Sequence, residues 1–293
     1  MLRARCRFSL IIILTITFAL EGSQAEDACC SSKKSGQPSE TPTPEFVYAA
    51  NAGMATTNRT PRRRRRRRPK PYKVIEVKNG GVISGTVSYK ESTPEATTIA
   101  IVKDHETCGK RETAVPKIRK SDKGLVAEAV VYIADITTGK AIPKRNKPLT
   151  IDQKLCTFVP HVQAAVTKEP VEIINSDPVA HNIKADQRIF TLFNILQPQQ
   201  NMKAVKTFEK PGLVNIRCNV HNWMNGYLYI FNHPYYQVTA ADGVFKLENV
   251  PPGKYELAVW QEHLGDQYFE VEVKAGVTTE LPVVLKPQTD EAS

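Results

Sequence analysis

Three side chains with an affinity for soft metal ions fall within seven positions of one short stretch, IRCNVHNWMNG (216–226): the thiol of Cys218, the imidazole of His221 and the thioether of Met224. A further imidazole, His181, lies upstream in VEIINSDPVAHNIKA. Taken alone, Cys218 reads as a small hydrophobe in a strand. Its surroundings favour convergence. The stretch separates two β-rich runs, GLVNIRC and GYLYIFN, so it closes a loop at one end of a sheet, where three side chains can turn toward a common centre. His181 follows a run with strand character, Val171 to Asn175, and a turn carrying Asp177 and Pro178, which can bring a second imidazole against that loop. Two imidazoles, one thiolate and a weak thioether suit copper held by His2Cys with a long axial Met; zinc would be satisfied by Cys and His alone. Such a closed set leaves no open position for a substrate.

The elements that must position these donors are strands. From Lys73 onward, runs of about 4 to 9 residues rich in Val, Ile, Tyr and Phe alternate with turn residues, and no stretch keeps a helical period. An all-β protein built of sandwiches is predicted, and about 220 folded residues divide naturally into two of them.

From about Leu149 to Asn232 the chain resembles a cupredoxin, closest to the amicyanin and plastocyanin group. The likeness rests on a strand ending in Asn175, then His181-Asn182, then Cys218-Asn219-Val220-His221-Asn222-Trp223-Met224. It implies a Greek-key sandwich with His181, Cys218, His221 and Met224 as ligands of one copper ion, and Asn182 tying its loop to the thiolate loop. Ala180 stands where the group has Pro, and Ile216 and Arg217 where it often has aromatics. His221 is expected to present its ring edge near the surface, with Trp223 and Pro178 as an apolar rim for a transient partner.

The stretch 238–265 resembles the carboxypeptidase regulatory-like, or transthyretin-like, domain through Asp242-Gly243-Val244-Phe245 and Val250-Pro251-Pro252-Gly253-Lys254-Tyr255. Both Asp242-Gly243 and Pro251-Gly253 read as hairpin turns. Too few residues follow Asn232 for a complete sandwich, so its opening strands are sought earlier, in GVISGTVSY and GLVAEAVVYI. The expected organisation is a signal peptide (1–25), a disordered Pro/Ser/Arg-rich linker (26–72), the first part of the regulatory-like sandwich (73–146), the cupredoxin domain (147–232), the second part of that sandwich (233–287) and a tail (288–293). This insertion predicts pairing between the strands around Val87 and Leu257.

The signal peptide is read from Arg3, Arg5 and Arg7 before SLIIILTITFAL and small residues at 23–25. It implies export to the periplasm or to the extracellular space or cell envelope, where thiols oxidise. With Cys218 assigned to metal, Cys6 in the signal and Cys29 and Cys30 in the linker, Cys108 and Cys156 remain to pair. The net charge of +10 suggests nucleic acid only until it is partitioned. Beyond residue 25 the charge is +8, and Arg62 to Arg68 with Lys70 and Lys73 supply nine positive charges, leaving the rest near neutral at −1. No nucleic-acid partner is expected. The arginine run reads as an extended linker, with adhesion to an anionic envelope surface as the sharper alternative. His105, His161, His233 and His263 share no motif spacing and read as structural, His161 being the one near enough to Cys156 to suggest a second metal site.

The expected function is an exported type 1 copper protein that carries single electrons to redox partner proteins such as a c-type cytochrome, and not an enzyme. A copper oxidase or reductase would need a further site, and the chain has no His-x-His pair. The alternative is a structural or ligand-binding two-sandwich protein whose copper site is vestigial or serves storage.

Overall fold

A computed structural model describes residues 71–288. The signal-peptide stretch, the arginine run Arg62 to Arg68, Cys6, Cys29, Cys30 and residues 289–293 lie outside the described residues. The amino-terminal part holds β1 (Lys73–Val74), β2 (Gly81–Tyr89), β3 (Thr97–Ala100), the four-residue helix α1 (His105–Cys108), β4 (Glu112–Val115), β5 (Val130–Ile133) and β6 (Thr138–Gly139). The central part holds β7 (Leu149–Lys154), β8 (Thr157–Val159), β9 (Val162–Val166), β10 (Val171–Asn175), β11 (His181–Gln187), β12 (Phe190–Gln197), β13 (Lys203–Lys206), β14 (Gly212–Arg217) and β15 (Asn225–Phe231). The rest is β16 (Tyr236–Val238), β17 (Val244–Val250), β18 (Gly253–Gln261), β19 (Gly265–Val273), β20 (Thr278–Glu280) and β21 (Val283–Leu285). The protein is all-β, as its runs of β-branched and aromatic residues predict.

Four main sheets arise because side chains alternate across each strand and each apolar face needs cover. The central part forms two, ordered β13-β10-β7-β8 and β12-β11-β14-β15-β9. Between them lies a core that includes Ile151, Ile173, Ile183, Val214, Ile216, Leu228 and Ile230. The flanking parts form the other two, β16-β5-β18-β19 and β17-β2-β20 with β21 also on β2. These enclose Ile83, Val87, Ile133, Tyr235, Phe245, Leu257 and Val259. Strands from before and after the central part therefore share both sheets of the second sandwich.

β15 shows how the sandwiches join. Its Leu228 and Ile230 enter the central core, while Tyr227, Tyr229 and Phe231 on its other face meet Val130, Tyr132, Ala258 and Trp260 of β5 and β18. Phe231 stacks on Tyr229 at 4.7 Å and on Tyr236 at 4.5 Å between ring centres. β15 is thus covered on both faces, which explains its unbroken apolar run.

Three sequence expectations are corrected. The strands around Val87 and Leu257 do not pair: β2 takes β17, β20 and β21 as partners, and β18 takes β5 and β19. They lie in opposite sheets and meet through side chains in one core. Neither Asp242-Gly243 nor Pro251-Gly253 closes a hairpin, because β16, β17 and β18 alternate between the sheets. The crossing at Gly243 is close, with φ 64° and room for a Cβ taken by the Val87 carbonyl oxygen at 2.7 Å. Finally, Tyr72, expected in the linker, packs on the second core and donates its hydroxyl hydrogen to the carbonyl of Lys140 at 2.7 Å.

His233 sits beyond β15 with ring centres 5.3 Å from Phe231 and 6.2 Å from Tyr72, and its Nδ1 accepts the N–H of Tyr235 at 3.2 Å. Burial pulls its pKa down to about 4. An unfolded histidine titrates near 6.5, so the unfolded chain takes up this proton first. The resulting stability is complete above that value and is lost as pH falls through about 4, to a limit of roughly 3 kcal/mol. Urea midpoints measured from pH 7 to pH 4 should fall, and fall less steeply in His233→Gln.

Candidate metal centre

The placement of His181 begins in the turn before it. Asn175, the last residue of β10, accepts the N–H of Asp177 at 3.0 Å and donates its amide hydrogens to the carbonyls of Val179 at 2.9 Å and Gln197 at 3.0 Å. This sets the buried Asp177 carboxylate under the β7–β8 turn. There Oδ1 accepts the N–H of Leu155 at 2.7 Å and Oδ2 that of Cys156 at 2.8 Å. Leu155 and Cys156 have φ of 52° and 54°, and their adjacent N–H groups make a small anion-binding concavity. The Asp177 Oδ2 also lies 2.8 Å from Nε2 of His181. Its other nitrogen, Nδ1, is thereby left to face inward.

The second imidazole comes from the loop between β14 and β15. The Cys218 N–H donates to the carbonyl of Met224 at 3.1 Å, and the Met224 N–H to that of His221 at 2.9 Å, closing the loop on itself. The Nε2 of His221 lies 2.8 Å from Oδ2 of Asp104, a residue 117 positions earlier. Each imidazole is thus anchored through Nε2 to a carboxylate, the arrangement that fixes the orientation of a metal-binding histidine.

The two Nδ1 atoms meet the same sulfur. Cys218 Sγ is 4.0 Å from Nδ1 of His181 and 4.0 Å from Nδ1 of His221, and the nitrogens are 2.9 Å apart. The point equidistant from all three lies about 2.1 Å from each, within the roughly 2.0–2.3 Å span of metal bonds to imidazole and thiolate. Both histidines are 0% exposed, and Met224, at 2%, lies in the same core cluster as Cys218. Sγ also accepts the N–H of Asn182 at 3.5 Å and of His221 at 3.4 Å, contacts that hold the sulfur in place. Burial holds the His181 imidazole below its ordinary pKa; the hydrogen bond to Asp177 works against this and His221 adds to it. An unprotonated ring is the ligand form. The two imidazole nitrogens and the cysteine sulfur, at this spacing, fit a copper ion.

Asn182 links the loops through its side-chain oxygen, which accepts the N–H groups of Asn219 and Val220, the latter at 3.2 Å, while its amide donates to Asn194 at 2.6 Å. Trp223 is half-buried with its ring 5.0 Å from that of His221, and Pro178 is exposed. Arg217 points outward into a cleft of about 490 Å³ that Lys184, Asp186 and Arg188 also line. Its guanidinium meets Asp186 at 2.7 Å. Burial works to raise the Asp186 pKa, but hydrogen bonds from Thr191 and Arg217 and the charges of Lys184 and Arg217 prevail and hold it below the usual carboxylate range.

One expectation about this region is corrected. The His221 ring edge is not at the surface, because residues 97–115 leave the second sandwich and cover it. This strap is the β3–β4 hairpin with α1 between its strands; Ile101 and Cys108 enter the central core, and a disulfide joins Cys108 to Cys156. His161 reads as structural, and the sulfur of Cys156, its neighbour in sequence, is taken by that disulfide. His161 lies 2.6 Å from Glu262 of the second sandwich. Among the described residues, the converging groups of ligand atoms draw on Cys108, Cys156, Asp177, His181, Cys218 and His221 alone. Sequence reasoning missed Asp177 and Asp104 as anchors. The four-residue interval from Asp177 to His181 was the available signal for the first; nothing local marks the second.

A family described as domain II of polysaccharide lyase family 4 matches residues 206–281, from the end of β13 to β20. No curated protein matches the sequence. Similar solved structures include a copper-containing nitrite reductase, amicyanin variants and a purple cupredoxin. A copper-containing nitrite reductase from Thermus scotoductus is 20% identical over 32% of this chain and 25% of its own, with a TM-score of 0.26. A reduced amicyanin variant is 15% identical over 30% of this chain and 86% of its own, with a TM-score of 0.27. A purple cupredoxin from Nitrosopumilus maritimus is 18% identical over 28% of this chain and 99% of its own, with a TM-score of 0.25. The chain thus spans a quarter of the nitrite reductase's length.

Proposed function

We propose that the chain is an exported, non-enzymatic type 1 copper protein that carries single electrons to transient protein partners. The observation that carries this reading is the convergence of Nδ1 of His181, Nδ1 of His221 and Sγ of Cys218, with both Nε2 atoms engaged by carboxylates. His181, Cys218 and His221 are the proposed equatorial ligands and Met224 the axial one. Copper would supply one-electron exchange there. The chain's part is to hold the donors in place: Asp177 and Asp104 orient the rings, Asn182 locks the two loops together, and the closed core excludes water. Donors fixed in advance need little rearrangement when the charge at the site changes.

The periplasm, or the extracellular space or cell envelope, is the proposed location, from the amino-terminal signal read in the sequence. The second sandwich is proposed to be a regulatory-like spacer, rigidly joined through the aromatic layer beside β15. A copper-storage role is the second reading, favoured by the complete burial of both imidazoles. Titrating the mature chain with Cu(II) distinguishes the possibilities: one equivalent bound with an intense thiolate-to-copper absorption supports the carrier. A protein that stays colourless after loading overturns it, and a coloured one that exchanges electrons only as slowly as it releases metal favours storage.

A further inference from the structure

The two carboxylates that anchor the imidazoles come from parts of the chain joined by one covalent bond. Asp104 caps α1, the helix that ends in Cys108. Asp177 is held by the backbone N–H of Cys156 itself. The disulfide thus ties the carrier of one carboxylate to the holder of the other. Its sulfurs lie within 4.8 Å of a His221 ring nitrogen, and that of Cys156 within the same distance of ligand atoms of Asp177 and His181.

Apart from this bond the strap is lightly attached. Between Ile101 and Cys108, residues 102–106 are exposed and Thr107 is half-buried. Asp104 is placed unusually: its φ is 52°, and its side chain makes no capping bond to α1. The helix N–H groups of Thr107 and Cys108 are taken by its backbone carbonyl instead, at 3.0 and 2.8 Å. Its carboxylate is therefore free to reach His221. Nothing in α1 itself keeps it there once the helix can move.

We propose that the Cys108–Cys156 disulfide is a redox latch: its reduction by a dithiol frees the strap 97–115, withdraws Asp104 from His221 and opens the His221 side of the centre. A thiolate of the dithiol attacks Cys108 Sγ, giving a mixed disulfide and the Cys156 thiolate. The second thiol of the reductant then displaces Cys108, so the dithiol is oxidised to its disulfide while both cysteines become thiols, with two electrons and two protons transferred. Cys108 is the approachable end, since Gly109 beside it faces open space and Lys110 and Arg111 are exposed. The latch itself does not depend on the metal; only its consequence for copper rests on the function proposed above.

The test has a metal-free arm and a copper arm. In the metal-free mature chain, dithiothreitol should raise amide exchange over residues 101–111 and tryptic cleavage at Lys103, Lys110 and Arg111 by at least about tenfold, leaving β10, β11, β14 and β15 protected. The Cys108→Ala/Cys156→Ala chain should behave this way without reductant. Unchanged exchange in the strap, or loss of protection across the central sandwich with it, overturns the latch. In the copper arm, that double variant and Asp104→Ala with its disulfide intact should each lose copper to a chelator at least about tenfold faster than the parent. Parental release rates in both would overturn the proposed opening of His221. A parent that binds no copper defeats the carrier reading, while the exchange measurement still decides the latch.

Discussion

Cys218→Ser abolishes the visible charge-transfer absorption of the copper-loaded protein and weakens copper binding by more than about 100-fold, beyond the loss typical for a residue that only supports a ligand. The side chain is buried between two Nδ1 atoms, each 4.0 Å from its sulfur, so the hydroxyl keeps nearly the same volume and loses the soft anionic donor. Amide exchange and thermal unfolding of the metal-free variant should stay close to the parent, which separates loss of a ligand from loss of the fold. If Cys218→Ser keeps the absorption, the sulfur is not bonded to copper and the assigned centre is wrong.

Asp177→Ala is expected to be the most damaging change that touches no ligand atom directly. Its carboxylate accepts from the N–H groups of Leu155 and Cys156 and lies against Nε2 of His181, at 2.7, 2.8 and 2.8 Å. Alanine leaves these donors without an acceptor in a buried place, at a cost of about 3–5 kcal/mol in urea unfolding of the metal-free chain. Copper affinity should fall a further 10–100-fold or so, because the His181 ring is no longer held in one orientation. Asp177→Asn keeps acceptor oxygen and should recover part of both losses. Equal stability of Asp177→Ala and the parent would mean that the β7–β8 turn does not depend on this carboxylate.

The contrast between the two aspartates bears on how the centre is built. Asp177 belongs to the sandwich that carries the donors, four residues before the histidine it holds. Asp104 arrives on a strap from the flanking part of the chain, and its side chain remains 37% exposed while the ring it meets is wholly covered. One anchor is therefore intrinsic to the sandwich that holds the two histidines and Cys218, and the other is applied from outside.

Much of this was legible in the residues alone. Cys218, His221 and Met224 lie in one loop, and a loop between two strands constrains its own side chains, so their spacing points to a shared centre. Alternating and β-branched runs marked the strands for the same local reason. Oxidation of Cys108 and Cys156 followed from counting thiols, because a pairing by elimination needs no geometry. Distant contacts were hidden. No interval in the sequence connects Asp104 with His221, 117 residues apart, or announces that 97–115 would abandon the sandwich of its neighbours. Partner strands were likewise misjudged at Val87 and Leu257, since an apolar strand is equally satisfied beside another or across a core from it. Local chemistry and periodicity determined which atoms are offered; tertiary packing decided which of them are covered, because burial depends on segments that meet only when the whole chain folds.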